Sequence, residues 1–359
     1  MLTNFLTGSP FANSDLNKQA WRTITSVKNR QLPRSNSPSQ LAIAGASRDY
    51  DQMNSNACDI DIFELIARWR MVECIVLCKG HGHLARPAVA LKTLSKLRGA
   101  MGHALAIGAS QEALRPNPKP SQKGHTAPLR APCPYDPPCA YELFHNAILD
   151  PITGYPRATP FTLSVDETGE GDLAITVRLF GEACDWASDF RTGLIGGLKR
   201  GLDLGGTSPV IPDIQTALIV APSLPQLQIL DQPFHVQTCT PILRRPRKGV
   251  PRDTFDFGTF FTGLATRLTA VARWHGAALV LDGPALKSEA YRLGALGQTH
   301  DSVTPISLGK KNDRIGFSGA VRFPQTNALL STLVQLGQWT HCGSDTSHGA
   351  GRYQVGIET

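Results

Sequence analysis

Residues 341 to 353 read His-Cys-Gly-Ser-Asp-Thr-Ser-His-Gly-Ala-Gly-Arg-Tyr. The stretch follows a helical pattern over Asn327 to Trp339 and precedes a strand pattern over Arg352 to Ile357. Gly343, Gly349 and Gly351 permit positive backbone torsions and close backbone approach. Successive amides of such a loop can point at a phosphate, with Thr346 and Ser347 adding hydroxyl donors and Arg352 charge. The plainer alternative is a glycine-rich turn between helix and strand, with His341 and Tyr353 packed beneath it.

Upstream, hydrophobic periodicity gives one element order twice. In the first half the expected elements are a strand at Val72 to Leu77, a helix at Lys92 to Ile107 and a hairpin of Phe161 to Val165 with Leu173 to Phe180. A helix at Phe190 to Lys199 and a strand at Ala217 to Val220 complete it. Along the first helix, Leu94, Leu97, Met101, Ala104 and Leu105 share one stripe, and Lys92, Lys96, Gly99 and His103 the opposite one. The second half offers a strand at Phe234 to Thr240, a helix at Phe257 to His275, strands near Val303 to Leu308 and Gly316 to Phe323, then the helix and strand around the glycine loop. The phenylalanine-rich face of 257 to 271 reads as core. Strand, helix, strand, strand, helix, strand is a ferredoxin-like unit. The expected fold is therefore α+β: two tandem ferredoxin-like (RRM-like) domains with a C-terminal glycine-rich loop. Their expected bounds are 67–225 and 226–359, after a poorly structured extension over 1–66 that holds a short amphipathic piece at Ile60 to Arg70. Residues 109 to 135 read as a long loop.

The chain has 359 residues, 36 Lys and Arg against 29 Asp and Glu, and 41% hydrophobic content. That length accommodates two cores, and the basic excess suits a polyanionic partner. The N-terminus lacks the apolar region of a secretory signal, and no stretch of about 18 apolar residues suggests a membrane span, so the expectation is a cytoplasmic protein with reduced thiols and no membrane partner. Among eight cysteines, Cys74 and Cys78 are four apart and Cys133 and Cys139 six apart. Neither pair has the two-residue gap of a zinc knuckle, so neither a metal nor another cofactor is expected. A zinc enzyme built on His81, His83 and cysteines is the reading from outside the RNA-binding class.

The terminal loop is similar to the loop ending the repeat-processing endoribonucleases of the CRISPR-associated RAMP superfamily, with pattern H-x-G-x-x-T-x-x-G-x-G-x-Y matched at His341, Gly343, Thr346, Gly349, Gly351 and Tyr353. Leu97-Arg-Gly-Ala-Met-Gly-His-Ala-Leu105 resembles that family's first-helix motif, and Cys139-Ala-Tyr-Glu-Leu-Phe144 the segment after it. The likeness covers about residues 70 to 357. It implies metal-independent cleavage of precursor crRNA: a 2′-hydroxyl attacks the adjacent phosphate, leaving a 2′,3′-cyclic phosphate and a 5′-hydroxyl. It also implies CRISPR repeat RNA as partner, with other subunits of an effector complex as further candidates; a RAMP subunit that binds crRNA without cutting it is the alternative. Such chemistry needs a base near neutrality and cations on the phosphate. His103 in the first-helix motif, with Lys96 on its face, is the leading choice, His83 and His81 follow, and His341 is assigned to ordering the loop. Lys92, Arg98, the cluster Arg244, Arg245, Arg247 and Lys248, and the glycine-loop residues Gly343, Thr346, Gly349, Gly351 and Arg352 are the expected RNA contacts.

Overall fold

The computed structural model describes residues 58–115, 133–135, 137–145, 158–169, 171–206, 208–224, 227–244, 255, 257–296, 298–299, 304–307 and 315–357. Arg245, Arg247 and Lys248 lie outside the described residues.

The chain runs β1 (Cys58–Ile60), α1 (Ile62–Ala67), β2 (Met71–His81), α2 (Pro87–Leu105), α3 (Gln111–Leu114), α4 (Ala140–His145), β3 (Phe161–Glu167), β4 (Asp172–Phe180), α5 (Ala187–Arg200) and β5 (Asp213–Val220). It continues through β6 (Phe234–Thr238), β7 (Ile242–Arg244), α6 (Phe257–Ala272), β8 (Ala277–Leu279), α7 (Gly283–Leu296), β9 (Gln298–Thr299), β10 (Thr304–Ser307), β11 (Ile315–Ser318), β12 (Ala320–Phe323), α8 (Ala328–Thr340) and β13 (Tyr353–Ile357). This is an α+β protein.

Two four-stranded antiparallel sheets carry the two halves, in the orders β3-β4-β2-β5 and β13-β6-β12-β9. Behind the first sheet lie α2 and α5, whose Leu94, Leu97, Met101, Phe190, Leu194 and Leu198 share a core with Cys74, Val76 and Cys78 of β2. The predicted stripes of α2 hold: Leu94, Leu97 and Met101 are buried, while Lys92, Lys96, Gly99 and His103 are exposed. The helix starts five residues earlier than its periodicity suggested because Pro87, which has no amide to lose, opens its first turn. In the second half, Phe257, Phe260, Phe261, Leu264 and Leu268 of α6 are core, packed with Phe234, Phe323 and α8.

The expected extension over 1–66 needs correction at its end. Asp61 accepts from the amides of Phe63 and Glu64, and Glu64 returns to the Asp61 amide, a capping box that opens α1. Ile60, Ile62 and Leu65 are buried in the second half's core, and β1 pairs in parallel with β8. The amphipathic piece expected over Ile60 to Arg70 is this helix, with Ile62 and Leu65 on its buried side. The strand expected over Gly316 to Phe323 breaks at Gly319 (φ 138°) into β11, which joins β10 and β7, and β12, which stays in the main sheet. The helix α7 was not anticipated. Its buried side chains, Leu286, Ala290 and Leu293, form a narrow stripe, and apolar residues off that stripe, Tyr291 and Leu296, blur the period. It is β9, and not the strand near Val303 to Leu308, that pairs with β12.

The two halves meet on the open edge of β3. Among the described residues that strand pairs only with β4, and its carbonyls at 161, 163 and 165 face outward. Arg267 of α6 donates to Thr159 O (2.9 Å), Phe161 O (3.3 Å) and Thr340 O (3.0 Å). Arg352 donates to Val165 O (2.9 Å). On the adjoining sheet face, Arg178 pairs with Glu73, donates to Trp339 O (3.1 Å) and lies 4.5 Å over the Trp339 ring. No described helix is long and apolar enough to cross a membrane.

Candidate RNA-cleavage site

The glycine-rich loop is the piece that joins these elements. It leaves α8 at His341 (φ 62°), turns at Asp345 (φ 60°), passes through a 3₁₀ turn Thr346–His348 and enters β13. That turn packs on α2 and β3. A side chain at Gly349 would run into Leu94 of α2 and Leu163 O of β3, and one at Gly351 into the Cys342 carbonyl. One at Gly343 would meet Leu243 O. All three have positive φ. The glycines therefore let the loop approach the protein itself closely.

The loop amides tell the same story. Those of Cys342, Ser344, His348, Gly349, Ala350 and Gly351 donate to backbone carbonyls, and that of Arg352 to the Thr240 hydroxyl. Thr346 and Ser347 are buried. Beneath the loop, Tyr353 donates to Val334 O (2.7 Å) over Gly337, where a side chain would strike its hydroxyl. His341 is fully buried. Burial first, then Arg178, Arg352 and Arg267, hold its pKa well below the usual histidine range.

His341 gives the fold a pH dependence of definite sign. Its pKa is low folded and ordinary unfolded, so the unfolded chain binds the extra proton as pH drops. Its contribution is complete at neutral pH and above and is lost as pH falls below about 6.5. His275 and His145 are lowered as well, first by burial. Stability should therefore fall between pH 7 and pH 5, each such group adding up to about 1.4 kcal/mol per pH unit. Urea midpoints across that range check it, and His341→Gln should flatten the curve.

The other expected cations are mostly committed to protein partners. Arg352 forms an ion pair with Asp166 (2.8 Å); burial acts to lower its pKa, and Asp166, with Cys239 and Glu73, more than offsets this. Arg98 donates to Phe144 O (3.3 Å) and lies 5.0 Å over that ring. Arg244 is buried, 5.1 Å over Phe317. Lys92 donates to Leu204 O (2.5 Å), and Lys96 faces Asp203 at 3.5 Å; both side chains stay solvent-accessible. The Gly205 amide and Lys96 lower the Asp203 pKa.

The candidate histidines are not brought together. His103 is in the last turn of α2 and His83 in the 3₁₀ turn Gly82–Ala85 before its first. Sixteen residues of helix separate Pro87 from His103, roughly 24 Å. His103 and Lys96 share a face but lie roughly 10 Å apart along the axis. His103 also points away from Leu94, the residue beneath the glycine loop, because nine residues at 100° leave them about 180° apart. Its titratable surroundings are Arg98 and His145, the latter lowered by burial, then Arg98, then His103.

The turn carrying His81 and His83 packs instead on α2, β3 and β4, so it shares α2 and β3 with the glycine loop. Gly82 is wedged against Glu167 and Gly171 at the far end of β3. From Leu163, beside Gly349, to Glu167 is roughly 13 Å of strand. His81 takes a left-handed torsion (φ 63°), a sparsely populated conformation for a residue with a side chain. The Gly82 amide holds the turn to Gly171 O (2.8 Å), and the Gly80 amide donates to Asp172 (2.6 Å). His83 is exposed, and its ring lies 6.0 Å from that of His81. Two further histidines, His145 and His348, were not singled out from the sequence; only their place in the fold, beside Gly102 and within the loop turn, marks them. Among the described residues, no group of three or more His, Cys, Asp or Glu is arranged to hold a metal ion.

Residues 236–353 match the family model described as CRISPR-associated endoribonuclease Cas6. No curated protein matches the chain in sequence. Among solved structures, a Cas6 product complex is 17% identical with a TM-score of 0.46, covering 81% of this chain and 100% of that one. A Thermus thermophilus Cas6 is 13% identical (TM-score 0.40), covering 80% and 98%. The product of a Cas6-related gene from Pyrococcus furiosus is 12% identical (TM-score 0.39), covering 81% and 100%.

Proposed function

We propose that this chain, recognised by its terminal loop and its family match as a CRISPR-associated RAMP-type repeat-processing protein, is an endoribonuclease that binds CRISPR repeat RNA and cuts precursor crRNA in the cytoplasm. The observation that carries the reading is the glycine-rich loop, whose motif lies within the matched residues and which joins α2 and β3, the elements that also carry the His81–His83 turn. The two halves are read as ferredoxin-like domains divided near 225. Support comes from the shared strand order, fourth-first-third-second, in both sheets.

The proposed chemistry needs no metal. One imidazole takes the 2′-hydroxyl proton, the oxygen attacks the phosphorus, and the second imidazole protonates the departing 5′-oxygen. A 2′,3′-cyclic phosphate and a 5′-hydroxyl result. His83, exposed and anchored by a held turn, is the proposed base, and His81 the proposed acid. Lys92 and Lys96, along the exposed face of α2, are proposed contacts for RNA phosphates, with Arg245, Arg247 and Lys248 as additional cations. A second arrangement centres on His103, favoured by its convergence with His145 and Arg98.

The test is incubation of the full chain with its own repeat RNA in EDTA. A single cut with a product 3′ end that resists ligation until the cyclic phosphate is opened and the resulting monophosphate removed is the expected result. Tight binding without a cut would establish the rival reading, a non-catalytic RAMP subunit of an effector complex. The cations already engaged by protein groups, Arg98, Arg244 and Arg352, are the observation that speaks for that rival.

A further inference from the structure

We propose that Cys133 and Cys139 are a redox-active dithiol, closed to an intramolecular disulfide by a small-molecule disulfide of the glutathione type. Their sulfurs lie 3.5 Å apart with no bond between them. A disulfide needs about 2 Å, so the two sulfurs have about 1.5 Å to close. No assumption about RNA enters this inference.

The two sulfurs differ in their surroundings. The sulfur of Cys133 is approached by the Ser110 hydroxyl (3.3 Å) and the Cys139 amide (3.4 Å). Burial acts to raise its pKa, but these donors, with the Tyr135 amide, outweigh burial and the net direction is down. Burial raises that of Cys139. The thiolate is the nucleophile in thiol chemistry, so Cys133, the more buried of the two but with two hydrogen-bond donors on its sulfur, is the attacking residue and Cys139 the resolving one. Buried thiols elsewhere are held protonated: Cys74 and Cys342 are pushed up to about 12, and Cys184 to about 11.

The exchange balances. The Cys133 thiolate attacks one sulfur of oxidised glutathione, forming a mixed disulfide and releasing one glutathione thiolate. Cys139 gives its proton to solvent and attacks the Cys133 sulfur, expelling the second. Two electrons pass from the protein to the glutathione disulfide.

The bond would act on α4. Cys139 immediately precedes that helix, and the neighbouring Pro138 O accepts from Trp186 Nε1 (2.8 Å). On α4, His145 lies against Gly102 of α2 and Phe144 beneath Arg98. Closing the pair fixes the lead into the helix that sets His145 beside α2.

The experiment uses the full native chain. Pulse alkylation of the reduced protein with iodoacetamide, read by peptide mass, should label Cys133 at least ~10-fold faster than Cys184 or Cys342. Incubation with oxidised glutathione, followed by quenching and mapping without reduction, should return the Cys133–Cys139 linked peptide and restore both thiols after dithiothreitol. Cys139→Ser should stop at the glutathione adduct on Cys133, and Cys133→Ser should give neither link nor adduct. Equal labelling of Cys133 and Cys184, or a map in which Cys133 and Cys139 remain thiols, overturns the proposal; both readings come from the wild-type chain and need no variant to fold.

Discussion

Replacing His83 by alanine should slow cleavage of repeat RNA by at least ~100-fold under single-turnover conditions in EDTA, the loss expected for a general base. RNA affinity should change by less than ~3-fold, since one side chain is lost from an interface held by several phosphate contacts. The argument is one of position. His83 is exposed on a turn tied down by backbone hydrogen bonds to the β3–β4 hairpin, and that turn shares α2 and β3 with the glycine loop. His103 has the opposite placement, at the other end of α2 and on the face turned from the loop. His103→Ala is therefore expected to cleave within ~3-fold of the wild type. If the two variants behave the other way round, the base belongs to the cluster of His103, His145 and Arg98. Lys96→Ala is expected to weaken binding more than it slows the bound complex, because Lys96 faces Asp203 and lies away from the two-histidine turn.

Arg267→Ala should lower unfolding free energy by about 3 kcal/mol or more, because buried carbonyls at 159, 161 and 340 lose their donor together. In a chain of this size that is a fall of roughly 5 °C in Tm. The guanidinium is fully buried, and burial pulls its pKa down to about 10. Its donors supply the outward edge of β3 with hydrogen bonds that a neighbouring strand would otherwise provide. Arg267→Met separates packing from hydrogen bonding: it restores much of the stem's volume but none of the donors. Thermal unfolding of the three proteins measures the difference. A methionine variant as stable as the wild type would mean that water or a shifted backbone satisfies those carbonyls. Because Arg267 links α6 to β3 and to the end of α8, the alanine variant should also loosen the glycine loop, raising amide exchange at Cys342 and Gly351.

The sequence by itself determined the elements and their faces. Leu94, Leu97 and Met101 had to share a buried stripe and Lys92, Lys96 and His103 an exposed one, because helical geometry couples residues three and four apart whatever surrounds them. The strands β2 to β5, the phenylalanine face of α6 and the turn formed by Gly343, Gly349 and Gly351 were legible for the same local reason. The narrowly patterned α7 was not, since only Leu286, Ala290 and Leu293 of its fourteen residues are buried. What only the tertiary structure decided is which charged groups remain available. Asp166 reaches Arg352, Phe317 lies beneath Arg244, and Phe144 beneath Arg98, each partner distant in the chain and invisible to any local pattern. The histidines were ranked in sequence only by the motif around His103. Which of them shares its neighbours with the glycine loop is decided by the packing of that loop on α2 and β3, segments more than 150 residues earlier in the chain, where close contact rather than chain proximity fixes what meets what.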